Sequence, residues 1–531
     1  MPLIAAHEVD VKNGSPQIYN AMDSLLTAEI LGELKSLLPG NNAPPELQGP
    51  KLIYDFERAL QAPALEMMLR GWRIDPWSRD AGIAELRRRL TRLSFIIDAY
   101  AGAIWDQRSP TKASNDYPRP SLLNPDSTKQ LQVFFYDCMK LPPIIKRKDG
   151  AETRPMDRDT LEKLESYFLA RPIISAILAY RDICGQLEVL ECEVDDDWRF
   201  RTSYNPAATK TGRWSSSESL TGSGRNAQNI EESLRYMFIS DLGRKLVGCD
   251  YEQSESRDIG WLCFVLFDDP TYLDACESGD LHTAVARLIW PNLDWNGDPK
   301  HDRTIADRSY YRHHSYRDIA KRAGHATNYL GQAPEIARQI RVPLQLIREF
   351  QERYFSAFPS IRTLHTWVAS QLQRNHYLIN AFGRRRDFFG RADSSETIKQ
   401  AVADLGQSTT ANRTNLALWR IWKHMGPKSK HPVELLAQLH DAIYLQRNEA
   451  DTDESEIVAQ VQEHMNVKLS YRNRIFSVPT EPKVGWLWSS AYEYAADGAK
   501  ILKHPDGLIK FTGSDTRART SKVFQPGKIA A

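Results

Sequence analysis

The residues best equipped for chemistry are two aspartates that close short apolar runs. Leu246-Val247-Gly248-Cys249 is short enough for a buried strand and stops at Asp250. Further on, Leu435 to Leu445 reads as strand, tight turn, strand, with His440-Asp441 at the tip. A carboxylate at a rigid strand end is a mount for a hard cation such as Mg²⁺, which takes oxygen ligands in near-octahedral geometry. Asp in that position also caps turns, so either residue alone specifies nothing. Two of them, from different strands and about 190 residues apart, are what a two-metal phosphoryl-transfer site requires, with ions roughly 3.5–4 Å apart.

Between them lies Arg317-Asp318-Ile319-Ala320-Lys321-Arg322-Ala323-Gly324-His325-Ala326-Thr327-Asn328-Tyr329. Read as a helix, positions 317, 321, 325 and 329 each advance by about 40° and share one face. Arg317 and Lys321 on that face suit a triphosphate, and Tyr329 at its far end suits a base or sugar. His325 is either a packed core histidine or a contact for the sugar or phosphate of a nucleotide. Gly383-Arg384-Arg385-Arg386 is a basic turn suited to phosphate.

The three segments resemble motifs A, B and C of the family A DNA polymerases, the group of bacterial DNA polymerase I and many phage replicative enzymes. Thr211-Gly212-Arg213-Trp214-Ser215-Ser216 and Asn226-Ala227-Gln228-Asn229-Ile230 are similar to the family's TGR-x-SS and N-x-QNI segments. Ser127-Thr128-Lys129-Gln130-Leu131 and Gly71-Trp72-Arg73-Ile74-Asp75-Pro76 match its thumb and the stretch before it. In order and spacing the likeness covers about residues 50–490. It implies a mixed α+β fold, a right hand with an antiparallel palm sheet, helical fingers and a helical thumb. The boundaries this predicts are an N-terminal exonuclease remnant and linker at 1–49, thumb and lead-in at 50–199, palm at 200–264, fingers at 265–395, palm again at 396–492, and a basic flexible tail at 493–531.

The resemblance also implies roles. Asp250 and Asp441, with the Tyr251 carbonyl, would hold two Mg²⁺ ions, with Mn²⁺ as a substitute. Lys321, counted with the two aspartates as catalytic, and Arg317 would neutralise the triphosphate. His325, Tyr329, Glu255, Gln253 and Tyr251 would complete the nucleotide site, Glu255 crowding out a 2′-OH. Arg213 would reach the minor groove at the primer terminus, where an acceptor at purine N3 or pyrimidine O2 is common to all pairs. Gln228, Asn229, Arg257, Gln407, His440, Arg384 and Arg385 would join it on DNA. The sequence departs from the family at Ala442, where a glutamate is usual, at His325, where Phe or Tyr is usual, and in an insertion between Glu218 and Gly224. The function implied is dNTP addition to a DNA primer on a DNA template by a monomer. The rivals are a ribonucleotide-tolerant or RNA-synthesising relative and a catalytically impaired DNA-binding scaffold.

Composition bounds the rest. The 531 residues hold 69 basic and 68 acidic side chains, so no global field announces nucleic acid. The basic excess is local: residues 301–341 hold eight Lys/Arg against four Asp/Glu, and residues 498–531 hold seven against two. Six cysteines without C-x₂-C spacing fit a reducing compartment and neither a zinc site nor a disulfide framework. No run approaches about 18 apolar residues and no leader opens the chain, which predicts a soluble, cytoplasmic protein without membrane contact (host cytoplasm for a phage-encoded chain). Apolar residues at 83, 86, 90, 93, 97, 100 and 104 predict one long helix, and 159–190 a second, broken near Pro172. Glu191 to Asp197 reads as a solvated turn. Tyr19 and Asp23 resemble the last motif of a 3′–5′ exonuclease whose other carboxylates have no room upstream. Proofreading is therefore expected from a separate exonuclease or replisome protein.

Overall fold

The computed structural model describes residues 29, 53–108, 123–148, 151–219, 222–312, 314–494 and 500–520. Tyr19 and Asp23 lie outside them. The frame is one nine-stranded sheet: β1 (Trp72–Ile74), β2 (Arg199–Phe200), β3 (Phe238–Ile239), β4 (Arg244–Tyr251), β5 (Val433–Leu439), β6 (Ala442–Asn448), β7 (Thr480–Gly485), β8 (Leu487–Ser490) and β9 (Gly507–Lys510). Their order is β5-β6-β4-β7-β9-β8-β3-β1-β2, and the neighbours run antiparallel except β8 and β9. β4 sits inside, between β6 and β7, so Leu246, Val247 and Cys249 are all buried. A strand covered on both faces reads as a continuous apolar run, which is the pattern its sequence carries.

Helices divide the remainder. α1 (Gln61–Arg70) leads into β1; α2 (Pro76–Arg108) and α3 (Arg171–Leu190) pair with each other. α4 (Ser254–Phe267), α5 (Leu281–Ile289), α6 (Tyr316–Asn328), α7 (Leu344–Ala357) and α8 (Pro359–Asn375) build a helical unit, while α9 (Ser395–His424) and α10 (Glu454–Met465) return to the sheet. Three apolar cores result. The sheet core includes Trp72, Phe238, Leu246 and Trp488; the helical core includes Ile259, Ile319, Phe350 and Leu405. The smallest gathers Ile97, Phe134, Phe135, Leu161 and Ile173.

The predicted stripe on α2 serves two of these cores. Leu86 is buried in the sheet core, whereas Ile97 and Ala101 are buried in the smallest one. α3 does the same with Ile183, Leu187 and Leu190 against Ile173, Ile174 and Ile177. Burying each such side chain is worth about 1.5–3 kcal/mol, enough to hold the helical pair upright on the sheet. α3 begins with Pro172 in its first turn, following a separate helix Arg158–Leu164, so the break falls where the proline predicts. Ser127 caps Thr128–Gln132 through its side chain and Gln130 is buried, which accounts for that motif structurally.

Two predicted boundaries need correction. Phe56, Leu60, Ala64, Met67, Trp72 and Ile74 pack in the sheet core, so the lead-in before α2 belongs with the sheet rather than with the helical pair. The basic tail is not flexible between 500 and 520. β9 threads between β7 and β8, and a Cβ on Gly507 would lie 2.6 Å from the Ala491 backbone, an approach only glycine permits. Beyond it, Arg517 donates to the Val484 and Gly507 carbonyls and Arg519 to Ser240. Composition alone suggested solvation; the arginines are spent on main-chain carbonyls instead. No helix among the described residues is long and apolar enough to cross a membrane.

Candidate active site

Strand register brings the two aspartates together. In the antiparallel pairing of β6 with β4, Ala442 stands opposite Asp250, which leaves Asp441 one residue beyond the strand, at the turn. His440 takes a left-handed φ of 56° to make that turn, and its carbonyl accepts from Gln438 Nε2 at 2.5 Å. Asp250 opens into the cleft, yet burial of its inner side and then repulsion from Asp441 push its pKa up to about 6, against an opposing pull from Lys483. Burial raises Asp441 as well, with Glu255 adding repulsion and Arg213 and His440 opposing it. Two crowded carboxylates with too little compensating positive charge make a hard-oxygen donor set suited to Mg²⁺. Tyr251 turns its ring inward, where the hydroxyl donates to the Met465 carbonyl at 2.6 Å, so only its main chain is available to the site.

After β4 the chain turns at Gln253, which holds a left-handed φ of 54° and a buried Oε1 without a hydrogen-bond partner among the described residues. α4 then presents Glu255, whose carboxylate accepts from Arg213 and, at 2.5 Å, from the Tyr329 hydroxyl. His325 Nε2 lies 3.9 Å from the same carboxylate and its ring packs edge-on to Tyr329. Burial and the adjacent Glu255 charge hold the Tyr329 hydroxyl well above its ordinary range, so it stays a donor.

α6 carries the basic face as predicted from Arg317 to His325, but it ends at Asn328, and Tyr329 caps it from outside the helix. Lys321 is exposed and has no ion-pair partner among the described residues. Arg317 is engaged: its Nε donates to Asp280 at 2.7 Å, and Arg303 reaches the same carboxylate at 2.9 Å. Burial works against the charged form of Asp280, yet these partners outweigh it and hold the carboxyl well below the usual range. His282, at the start of α5, was not singled out by sequence. Burial and then the charge of Arg317, opposed by Asp280 and reinforced by Lys321 and His325, push its pKa down to about 4, which leaves the ring neutral. Its only sequence signal is an Asp-x-His that opens a helix, which is too common to single out.

The other predicted residues divide. Gln228 donates to the Gln438 carbonyl on β5 at 3.2 Å, and the Asn226 side chain caps the short turn Ala227–Asn229 that carries it. Asn229 is exposed and Gln407 half-buried on α9. Next to it, a Cβ on Gly406 would meet the Tyr329 hydroxyl at 2.8 Å. Arg384 packs on Gly212, whose Cβ would meet its guanidinium at 2.7 Å, and pairs with Glu57 at 2.5 Å. Arg385 is exposed and paired with Asp387. Arg257 departs from expectation: it is buried and donates to the Glu252 carbonyl at 3.0 Å, closing the turn after β4 rather than facing the cleft. The Glu191–Asp197 stretch is a turn, with Asp195 and Asp197 spent on Arg201 and Arg199.

The model of DNA polymerase family A matches residues 111–489 of this chain. The chain belongs to that family. Similar curated proteins include the thermostable DNA polymerase I of Thermus filiformis, 26% identical over 433 residues, covering 78% of this chain and 46% of the relative. DNA polymerase I of Treponema pallidum is 27% identical over 370 residues, covering 66% and 34%. That of Chloroflexus aurantiacus is 24% identical over 506 residues, covering 91% and 47%. The chain thus spans about half the length of the curated relatives it matches or less. Among solved structures, the POL domain of Pol1 from M. smegmatis, in complex with DNA primer-template and dNTP, superposes with a TM-score of 0.63 at 23% identity, over 81% of this chain and 69% of that one. This family A chain therefore has a polymerase-domain fold, with the aspartate pair on its central sheet.

Proposed function

We propose that this chain is a template-directed DNA polymerase that adds dNTPs to a DNA primer 3′-OH. The observation that carries the reading is the aspartate pair: one carboxylate at the end of β4 and one at the turn before β6, both with raised pKa, with Glu255, 3.9 Å from His325 of α6, adding to the repulsion on Asp441. The sheet unit with α4 acts as palm, helices α5–α8 as fingers and the α2–α3 pair as thumb. Asp250, Asp441 and the Tyr251 carbonyl are the groups that would hold a pair of divalent cations, Mg²⁺ or Mn²⁺, which lower the pKa of an attacking hydroxyl and offset charge on a transferring phosphoryl group.

The remaining steps belong to the protein. Lys321 meets the triphosphate directly, and Arg317 joins it by exchanging Asp280 for phosphate oxygens. Neutral His282 offers a hydrogen bond in the same space. Glu255, fixed by Arg213 and Tyr329, occupies the volume beside the sugar's 2′ position, which supports deoxynucleotides over ribonucleotides. Arg213, Gln228, Asn229, Gln407 and His440 line the approach of primer and template. Both metal-binding aspartates are in place, which speaks against an inert DNA-binding scaffold. Primer extension by the purified monomer, run with each dNTP and rNTP separately and with or without Mg²⁺, tests the reading. Extension with dNTPs alone, dependent on Mg²⁺, is expected; none with any nucleotide would refute it.

A further inference from the structure

Three residues stand in a row across β6, β4 and β7. Register pairs Ala442 with Asp250, and Asp250 with Glu481. Directly opposed residues of antiparallel strands project on one face of the sheet, so Asp250 has a methyl group on one side and a carboxylate on the other. The next row on that face reads Tyr444, Gly248, Lys483 and Lys510. Glu481 accepts from Lys510 Nζ at 2.8 Å and lies 3.3 Å from Lys483 Nζ. Lys483 also opposes the rise in the Asp250 pKa, to which Glu481 adds repulsion. Lys510 belongs to β9, beyond residue 489 where the family match ends. A hard cation at Asp250 needs up to six oxygen ligands, and Ala442 supplies none.

Resting on the two-metal reading above, we infer that Glu481 is a third acidic residue of the catalytic floor. It helps hold the divalent cation at Asp250 from the strand on the side away from Asp441, with Lys483 and Lys510 setting its orientation. The C-terminal segment thereby takes part in the site, because β9 delivers one of the two lysines.

The test is a Mn²⁺ titration of the full chain followed by electron paramagnetic resonance, without nucleotide turnover. Glu481→Gln, which keeps shape and removes charge, should weaken binding about tenfold, the scale seen when a supporting ligand of a metal site is lost. The Mg²⁺ needed for half-maximal extension should rise by a similar factor. Adding Ala442→Glu, which supplies a carboxylate from the opposite side of Asp250, should recover most of that loss. Melting in EDTA should be unchanged in Glu481→Gln. Wild-type Mn²⁺ affinity in Glu481→Gln overturns the inference, and so does a loss matched by lower melting in EDTA that Ala442→Glu does not rescue. Wild-type protein that takes up no Mn²⁺, or Mn²⁺ uptake that persists in Asp250→Asn/Asp441→Asn, would instead bring down the two-metal reading itself.

Discussion

Asp250 and Asp441 in the sheet unit and Asp280 in the helical unit are carboxylates held in opposite electrostatic states. The first two face each other with too little positive charge nearby, and burial and repulsion raise their pKa. Asp280 is wrapped by Arg317 and Arg303 and stays ionised far below the usual range. A third arrangement lies beneath them: Asp258 and Arg413, both at 0% side-chain exposure, pair through two hydrogen bonds of 2.7 and 2.5 Å, with Thr410 as a further donor. The difference separates structure from chemistry. The Asp258–Arg413 pair, closed off from solvent, ties α4 to α9, whereas Asp250 and Asp441 are left for a ligand on the proposed reading.

The sharpest way to break this comparison is to neutralise each kind of acid in turn. Asp250→Asn or Asp441→Asn should lower extension on the order of a thousandfold, since several kcal/mol of transition-state stabilisation pass through the cation site. Primer–template affinity should stay near wild type, because basic contacts supply it. Extension at near wild-type rate in either variant would refute the site. Arg413→Ala should do the reverse. It strands a buried carboxylate and should cost about 3–5 kcal/mol of stability, read as a fall in the urea midpoint. A melting curve unchanged by Arg413→Ala would remove the distinction between answered and unanswered charge.

Glu255 stands between the two classes, paired with Arg213 and Tyr329 yet open to the cleft. On the proposed reading, Glu255→Ala should relax discrimination against ribonucleotides by about tenfold or more, since only bulk and hydrogen bonding at the 2′ position are lost. Competition between matched dNTP and rNTP measures it. Unchanged discrimination would shift the role to His325 or Tyr329.

The Asp250 shift also makes a pH prediction whose sign is fixed. Its folded pKa of about 6 lies above the ordinary 3.8, so the folded state binds the proton more tightly than the unfolded chain. That contribution to stability is complete below about pH 3.8 and is lost as pH rises through 6. In buffer without divalent ions, Asp250→Asn should therefore melt above wild type at pH 8, with the gap closing toward pH 4. Mn²⁺ affinity of the wild type should fall as pH drops below about 6. A gap that is constant with pH would show that Asp250 is not crowded.

Much of this was legible in the sequence because it is local. The apolar run of β4, the strand–turn–strand around His440 and the four-residue spacing on α6 each lie within one element. What stayed hidden depends on partners far along the chain. Glu481 is unremarkable until register sets it opposite Asp250. Arg257 shares its segment with Glu255, but helix rotation turns it inward to Glu252. The tail from 500 to 520 has the composition of a solvated segment, yet Gly507 lets it enter the sheet and Arg517 and Arg519 bind carbonyls there. Arg384, expected at a phosphate, is paired with Glu57, over 300 residues away in sequence.

The smallest predicted effect concerns charge pairs that look important and sit in solvent. Arg338 reaches Asp159 at 3.0 Å and Arg341 reaches Glu165 at 3.3 Å, joining the segment before α7 to the helix Arg158–Leu164 that precedes α3. Both arginines are more than half exposed, at 58% and 56%. Water screens such pairs, and fixing two long side chains costs conformational entropy, so each is worth about 0–1 kcal/mol. Asp159 is also paired with Lys146 and Lys163, so losing Arg338 leaves it compensated. Arg338→Ala/Arg341→Ala should accordingly move the melting temperature by about 2 °C or less. The change should vanish in about 0.5 M NaCl, where the screening length drops to a few ångströms. A larger fall that survives high salt would mean that these pairs are packed and desolvated, and would place them with Asp258 and Arg413 rather than with the solvent-screened charges.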